Sequence, residues 1–270
     1  MADEPVLRCD HLVKFYDTAV GRVQAVRGVD LELERGVTAA IVGPSGSGKS
    51  SLLRMLAGLE RPTAGVVLLD GVDVWALREA ARRKVRARKL THVYQRPNDN
   101  LFAHLTAEMQ LQRVAGLNDA RGKVDRWLDV LGLQDQRTLT PQQLSGGERQ
   151  RLAFARAAVA GHRIVIADEP TSQLDSVNAA AVMDAVDTIA EQGVTILIAT
   201  HDRRVLERVS EVIALRDGAV ATVTTGGEQL SVIDRSGRLQ LPPELQARFG
   251  ERRVRLRWSD PDGPVEIEAP

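Results

Sequence analysis

The chain has 270 residues, long for one domain and comfortable for one α/β domain with a small appendage. Lys plus Arg and Asp plus Glu both total 36, so the formal net charge is +0 and global charge draws the chain neither to nucleic acid nor to anionic lipid. Cys9 is the single cysteine, which excludes an internal disulfide and fits a reducing cytosol. No apolar run approaches the roughly 18 residues of a membrane span, and residues 1–10 carry acids and no apolar h-region of a signal peptide. Any membrane span is then expected in another chain.

Residues 6–33 alternate in polarity and predict antiparallel strands at one edge. Residues 37–42 are apolar and β-branched, as a strand buried on both faces requires. Residues 65–69 read as another antiparallel strand, with Asp70-Gly71 as a turn. Residues 77–160 are mostly helical in pattern, with breaks at 97–100, 116–119 and 138–142, and predict a helical insert between the first two core strands. Residues 164–167 and 195–200 repeat the buried-strand pattern. Strand–loop–helix order of this kind predicts a doubly wound α/β core with its chemistry at the strand C-termini. Gly226-Gly227 marks a boundary, after which short Val/Leu/Arg runs predict a small β-rich unit.

The strand at 37–42 runs into Gly43-Pro44-Ser45-Gly46-Ser47-Gly48-Lys49-Ser50-Ser51, a full P-loop pattern. Glycines let backbone N–H groups close around phosphates, and the helix that starts near Lys49 adds its N-terminal dipole. Lys49 can reach the β- and γ-phosphates of ATP, and the Ser50 hydroxyl can ligate Mg²⁺. Asp168 emerges at the end of the 164–167 strand, where a carboxylate can hold Mg²⁺ through water. Glu169, one residue on, is placed to act as general base toward the attacking water.

Leu144-Ser145-Gly146-Gly147-Glu148-Arg149-Gln150-Arg151 resembles the signature motif of ABC (ATP-binding cassette) ATPases, with Glu148 where many members have Gln. The resemblance covers roughly residues 5–225 and implies a P-loop NTPase core with an antiparallel β edge subdomain and a helical subdomain. It implies that Ser145, Gly146, Gly147 and Glu148 reach the partner's ATP across a head-to-tail dimer. Gln95 is similar to the Q-loop glutamine, which touches Mg²⁺ and water and lies beside the membrane subunit. Ser172-Gln173-Leu174-Asp175 resembles the D-loop, His201 the switch histidine at the γ-phosphate, and Tyr16 the aromatic that stacks on adenine. Within the class, the motifs look most like the ATPases of lipoprotein-release and macrolide-export systems. Those pair with integral membrane permeases, an FtsX-like type among them. The implied setting is cytoplasmic, peripheral on the inner face of the membrane, as a homodimer or paired with a homologous ATPase.

The basic run at 78–89 alternates with apolar residues in a helical pattern and predicts a solvated helix face rather than a nucleic-acid site. Residues 232–268, with Gly237-Arg238-Leu239-Gln240-Leu241-Pro242, resemble the AbrB-like swapped-hairpin fold. Domains are thus expected at 1–225 and 226–270, the second a dimerisation or regulatory unit, or a DNA-binding one. Rival expectations are a soluble ABC ATPase acting on nucleic acid or ribosomes, and a DNA-binding regulator.

Overall fold

The computed structural model describes residues 4–19, 21–117, 123–233, 239, 255–257 and 266–268. Two long strands, β1 (Leu7–Thr18) and β2 (Gly21–Leu33), pair antiparallel and precede β3 (Thr38–Val42) and helix α1 (Lys49–Leu56). Strands β4 (Ala64–Leu69) and β5 (Val72–Asp73) form a hairpin whose two loop residues, Asp70 and Gly71, both have left-handed φ, 45° and 72°. That is the geometry for which Asp-Gly is the favoured dipeptide. Helix α2 (Glu79–Lys89), strand β6 (Leu90–Val93) and a 3₁₀ turn at Pro97–Asn100 follow.

The helical subdomain comprises α3 (Ala107–Leu117), α4 (Val124–Val130) and α5 (Gly146–Ala160). The chain then runs through β7 (Ile164–Asp168), α6 (Ser176–Ala190), β8 (Thr195–Ala199) and α7 (Arg203–Leu206). It continues into β9 (Glu211–Arg216), β10 (Ala219–Thr225) and β11 (Glu228–Ser231). Strands β12 (Arg255–Arg257) and β13 (Glu266–Glu268) pair antiparallel with each other.

The large sheet has the order β11-β10-β9-β3-β8-β7-β6. Its strands from β9 to β6 are parallel, with β3 beside β8, β8 beside β7 and β7 beside β6. The second sheet, β2-β1-β4-β5, is wholly antiparallel.

Alternation along the parallel strands divides the core in two. Ile164 and Ile166 of β7 point into a cluster with α1 and the antiparallel sheet, including Leu52, Leu56 and Leu7. Val165 and Ala167 point into a cluster with α5, α6 and the helical subdomain, centred on the fully buried Phe154. This is why the strand runs are apolar at every position: helices or a second sheet cover both faces. Removing the Phe154 ring is expected to cost about 3–5 kcal/mol.

The antiparallel strands form their own four-stranded sheet, as the expected antiparallel edge subdomain requires. Two expectations change in the structure. Residues 90–93 are not part of a helical insert but the edge strand β6, held by pairing to β7. A four-residue strand carries too little periodicity to stand out between helices, and its neighbour in space decides it. Gly226-Gly227 is a hairpin turn inside the large sheet, which extends to Ser231 through β11. Helix α2 has no buried residue, as the solvated-face reading of residues 78–89 expects. Most of the swapped-hairpin resemblance lies outside the described residues.

Candidate active site

Strands β3, β8, β7 and β6 are consecutive neighbours and point the same way. Their C-terminal ends therefore line up the P-loop, His201, the Asp168-Glu169 pair and Gln95 along one edge, the usual place for ligands on open α/β sheets. A cleft of about 680 Å³ lies there, lined by the loop from Gly43 to Gly46 and by Gly48, Lys49, Ser50 and Ser51. Gln95, Asp168, Glu169 and His201 complete it, with Ala25 of β2.

The P-loop is clamped from behind. Gly48 is the N-cap of α1 with φ 98°, and a Cβ there would stand 2.2 Å from the Ala25 carbonyl oxygen. At Gly43 (φ 154°) a Cβ would meet the Leu215 carbonyl oxygen at the same distance. Only glycine allows backbones to approach this closely. The Ser47 carbonyl accepts from Gly218 N at 3.2 Å, which ties the loop to the β9–β10 turn. Ser47 is buried and does not line the cleft, unlike its neighbours. Lys49 Nζ donates to the Gly43 and Pro44 carbonyls at 2.7 and 3.1 Å, so its ammonium lies over the loop mouth.

Asp168 ends β7 and bonds the Ser50 hydroxyl. Burial pushes its carboxyl above the ordinary carboxylate range, the Ser50 hydrogen bond and nearby Lys49 opposing the rise while the charge of Glu169 adds to it. Glu169 has a left-handed φ of 47°, uncommon for a side chain larger than glycine. Its N–H donates to the Ala199 carbonyl at 2.8 Å, and its own carbonyl accepts from Ser172 N and Oγ at 3.1 and 2.8 Å. This turn sends the two adjacent carboxylates different ways, Asp168 to Ser50 and Glu169 to His201. Glu169 Oε1 stands 2.9 Å from His201 Nδ1. An ionised carboxylate only accepts, so that nitrogen carries the proton.

Tyr16 is half-buried outside the cleft lining, its hydroxyl 3.1 Å from Ser51 Oγ at the cleft edge. Burial pushes its phenol above the ordinary value. The signature residues are also outside the lining. Ser145 caps α5 by a reciprocal box: its Oγ accepts from Glu148 N at 3.2 Å, and its N–H donates to Glu148 Oε2 at 2.7 Å. Asp175 caps α6, accepting from Asn178 N and Nδ2 at 2.8 and 2.7 Å. Those bonds hold its carboxyl below the usual range.

Two contacts lay beyond the sequence reading. The Ala25 carbonyl braces the P-loop, and an alanine gives no chemical signal in sequence. Thr171 Oγ1 donates to Asp202 Oδ2 at 3.1 Å, tying the loop after Glu169 to the loop after His201.

The donors suit Mg²⁺. A hydroxyl and a carboxylate whose burial disfavours its charge meet at one edge of the cleft. Among the described residues no group of three or more His, Cys, Asp and Glu gathers. Magnesium is commonly held by one or two protein oxygens, with the remaining ligands from phosphate and water.

Such a site can bind a nucleoside triphosphate and split off its terminal phosphate, which places the chain among the ATP-hydrolysing P-loop proteins. A second capped helix N-terminus, at Ser145, stands outside that cleft. The chain belongs to the ABC transporter family, whose profile matches residues 26–172. It is 39% identical over 225 residues to the lipoprotein-releasing system ATP-binding protein LolD of Legionella pneumophila (strain Lens), covering 80% of this chain and 96% of that one. It is 36% identical over 230 residues to the macrolide export ATP-binding/permease protein MacB of Brucella abortus (strain 2308), covering 83% of this chain and 35% of MacB. The dimeric post-hydrolysis structure of the ATP-binding cassette MJ0796 with ADP and Pi superposes with TM-score 0.73 at 30% identity, covering 81% of this chain and 98% of that one. The chain is thus the ATP-binding subunit of an ABC transporter, an ATPase that uses ATP with Mg²⁺. No helix among the described residues is long and apolar enough to cross a membrane.

Proposed function

We propose that this chain energises a separate membrane permease through ATP-driven closure of two nucleotide-binding subunits. The observation that carries the reading is the split of the site. The P-loop, Asp168, Glu169, His201 and Gln95 line one cleft, while the helix end at Ser145, Gly146 and Gly147 stands outside it. A second subunit, turned head to tail, supplies its own Ser145 helix end to complete the first. The dimeric MJ0796 structure supports this arrangement. The similarity to LolD, named as an ATP-binding protein and covered over 96% of its length, supports the reading of an ATP-binding subunit. MacB, named for both ATP binding and permease, is spanned only for 35% of its length. A permease of the FtsX-like type, and a location on the cytoplasmic face of the membrane, belong to the same reading.

Within the closed site each side chain has a task. Backbone N–H groups of the loop and α1 face the phosphates, and Lys49 balances the charge that develops on the β- and γ-phosphates. Ser50 and Asp168, with Gln95, hold Mg²⁺, which neutralises phosphate charge when bound. Glu169 accepts the proton of the attacking water. His201 fixes the Glu169 carboxylate through Nδ1 and leaves Nε2 for the γ-phosphate. Tyr16 offers its ring to adenine from the cleft edge, oriented by Ser51. Asp175 and the loop before it meet the partner subunit. The AbrB-like segment joins the two copies at their C-termini.

The test is the size of Glu169→Gln protein with and without ATP and Mg²⁺ by sedimentation velocity. An ATP-dependent dimer is expected, and it should disappear in Glu169→Gln, Ser145→Arg. A monomer at saturating ATP overturns the shared-site reading.

A further inference from the structure

Tyr16 is fixed by more than its contact with Ser51. Its phenol also donates to the carboxylate of Glu60, in the loop that follows α1. The Lys14 ammonium stands over the ring, 5.0 Å from its centre. That ammonium is itself held, 2.9 Å from Glu60 Oε1 and donating to the Arg61 carbonyl at 2.9 Å. Arg54 of α1 approaches the other carboxylate oxygen, Nε to Oε2, at 3.4 Å. One carboxylate thus meets the hydroxyl of Tyr16, the cation over its ring and the helix of the P-loop.

The side chains of Lys14 and Glu60 are only 14% and 16% exposed, so water screens their attraction little. Burial raises the Glu60 carboxyl, yet the hydrogen bonds from Lys14 and Tyr16 outweigh it and hold the group below its ordinary range. It is therefore ionised at neutral pH. The loop has other bonds to β1. Thr63 N donates to the Val13 carbonyl at 2.8 Å, and Phe15 N donates to Thr63 Oγ1 at 3.1 Å. Those bonds fasten the loop to the strand, and the carboxylate of Glu60 is turned to the ring and its cation instead.

A tyrosine at the edge of a cleft turns about two side-chain torsions, and ordering it only when nucleotide arrives costs affinity. Holding its hydroxyl between Ser51 and Glu60 removes that freedom beforehand. With Lys14 over one face, a single face of the ring is left for a base.

We propose that Glu60 is a positioning residue for the nucleotide base: it anchors the Tyr16 hydroxyl and sets Lys14 over one ring face, so that the other face is presented to adenine. The inference rests on the adenine-stacking reading of Tyr16 and deepens it. Ser51 and Arg54 both belong to α1, so base and phosphates are gripped from one helix.

The experiment measures the binding of ATP and of inorganic tripolyphosphate, each with Mg²⁺, to the full chain by titration calorimetry. Tripolyphosphate offers phosphates without a base, so the ratio of the two affinities isolates what lies beyond the phosphates. Glu60→Ala should weaken ATP about tenfold and leave tripolyphosphate unchanged. Tyr16→Ala should weaken ATP at least as much, and Glu60→Ala added to it should change nothing further. If Glu60→Ala does not fold, Glu60→Gln, which keeps the shape and removes the charge, carries the same comparison with a loss in the same direction. Equal weakening of both ligands by the Glu60 variant would assign the residue to the fold of α1 and overturn the inference. So would an unchanged ATP affinity, or a Glu60 effect that persists in Tyr16→Ala. An unchanged ratio in Tyr16→Ala itself sinks the stacking reading on which the inference stands.

Discussion

Glu169 and His201 share one hydrogen bond, Oε1 to Nδ1 at 2.9 Å, across the ends of adjacent strands β7 and β8. The carboxylate is mostly buried while the imidazole is largely exposed, with side-chain exposures of 15% and 78%. A base whose orientation depends on a neighbouring ring acts with that ring as a unit. Glu169→Gln should keep ATP binding and lower turnover about 100-fold or more. His201→Ala should lower it by a similar order, and the double variant should add little to either single one. Steady-state phosphate release alongside nucleotide-binding titrations checks all three. Near-wild-type turnover in Glu169→Gln would remove Glu169 from the role of base.

Gly48 is packed too closely for any side chain, its φ being left-handed and the Ala25 carbonyl lying 2.2 Å from a Cβ position. Gly48→Ala should therefore shift β2 or the P-loop, at a cost of about 3 kcal/mol or more. Thermal unfolding should show a clear loss of Tm together with weakened ATP binding. Gly46 also has a left-handed φ, 81°, but a Cβ there would meet nothing within 4 Å, so it separates backbone strain from the close contact. Gly46→Ala should harm nucleotide binding more than it harms the nucleotide-free fold.

The family departure at Glu148 has a local explanation in the capping box with Ser145. Glutamine can make the same reciprocal pair. Glu148→Gln should leave stability nearly unchanged, whereas Ser145→Ala should lower it by about 1 kcal/mol and Tm by about 2–4 °C. Calorimetry of the nucleotide-free chain distinguishes them. A large loss with Glu148→Gln would mean that the carboxylate charge, rather than its hydrogen bond, matters at this helix end.

His92 gives the fold a pH dependence. Burial lowers its pKa from 6.5 to about 4, with the charges of Arg86 and Arg54 adding to the effect. Below pH 6.5 the unfolded chain takes up a proton that the folded chain refuses, so stability falls as pH drops from about 6.5 toward about 4. The loss at the low end should reach about 3 kcal/mol. Above about pH 6.5 the residue contributes no slope. His92→Gln should flatten the Tm profile across this window, measured by scanning calorimetry. An unchanged slope would place the acid sensitivity elsewhere.

Much of the site could be read from the residues because its chemistry is carried by short local patterns. Gly43 to Ser50, Asp168-Glu169 and Ser145 to Glu148 each announce themselves by spacing and side-chain type. The structure places the first two in one cleft and gives the third a cap. Strand β6 was hidden, since residues 90–93 owe their extended form to β7 and not to their own pattern. Gly226-Gly227 marks a change of character in the sequence, and only the pairing of β11 with β10 shows that the sheet continues through it.

Sequence by itself determined the phosphate loop, the buried parallel strands and the start of the helix after Ser145. Those depend on backbone freedom, alternation and hydrogen bonds within a few residues of one another. Only the tertiary structure decided which strands are neighbours, and hence that Gln95, Asp168, Glu169 and His201 meet Lys49. It also left Arg86, His92 and Arg156 around one cavity from three separate elements. Such meetings depend on long-range pairing and on what packing leaves uncovered, and no local pattern records either.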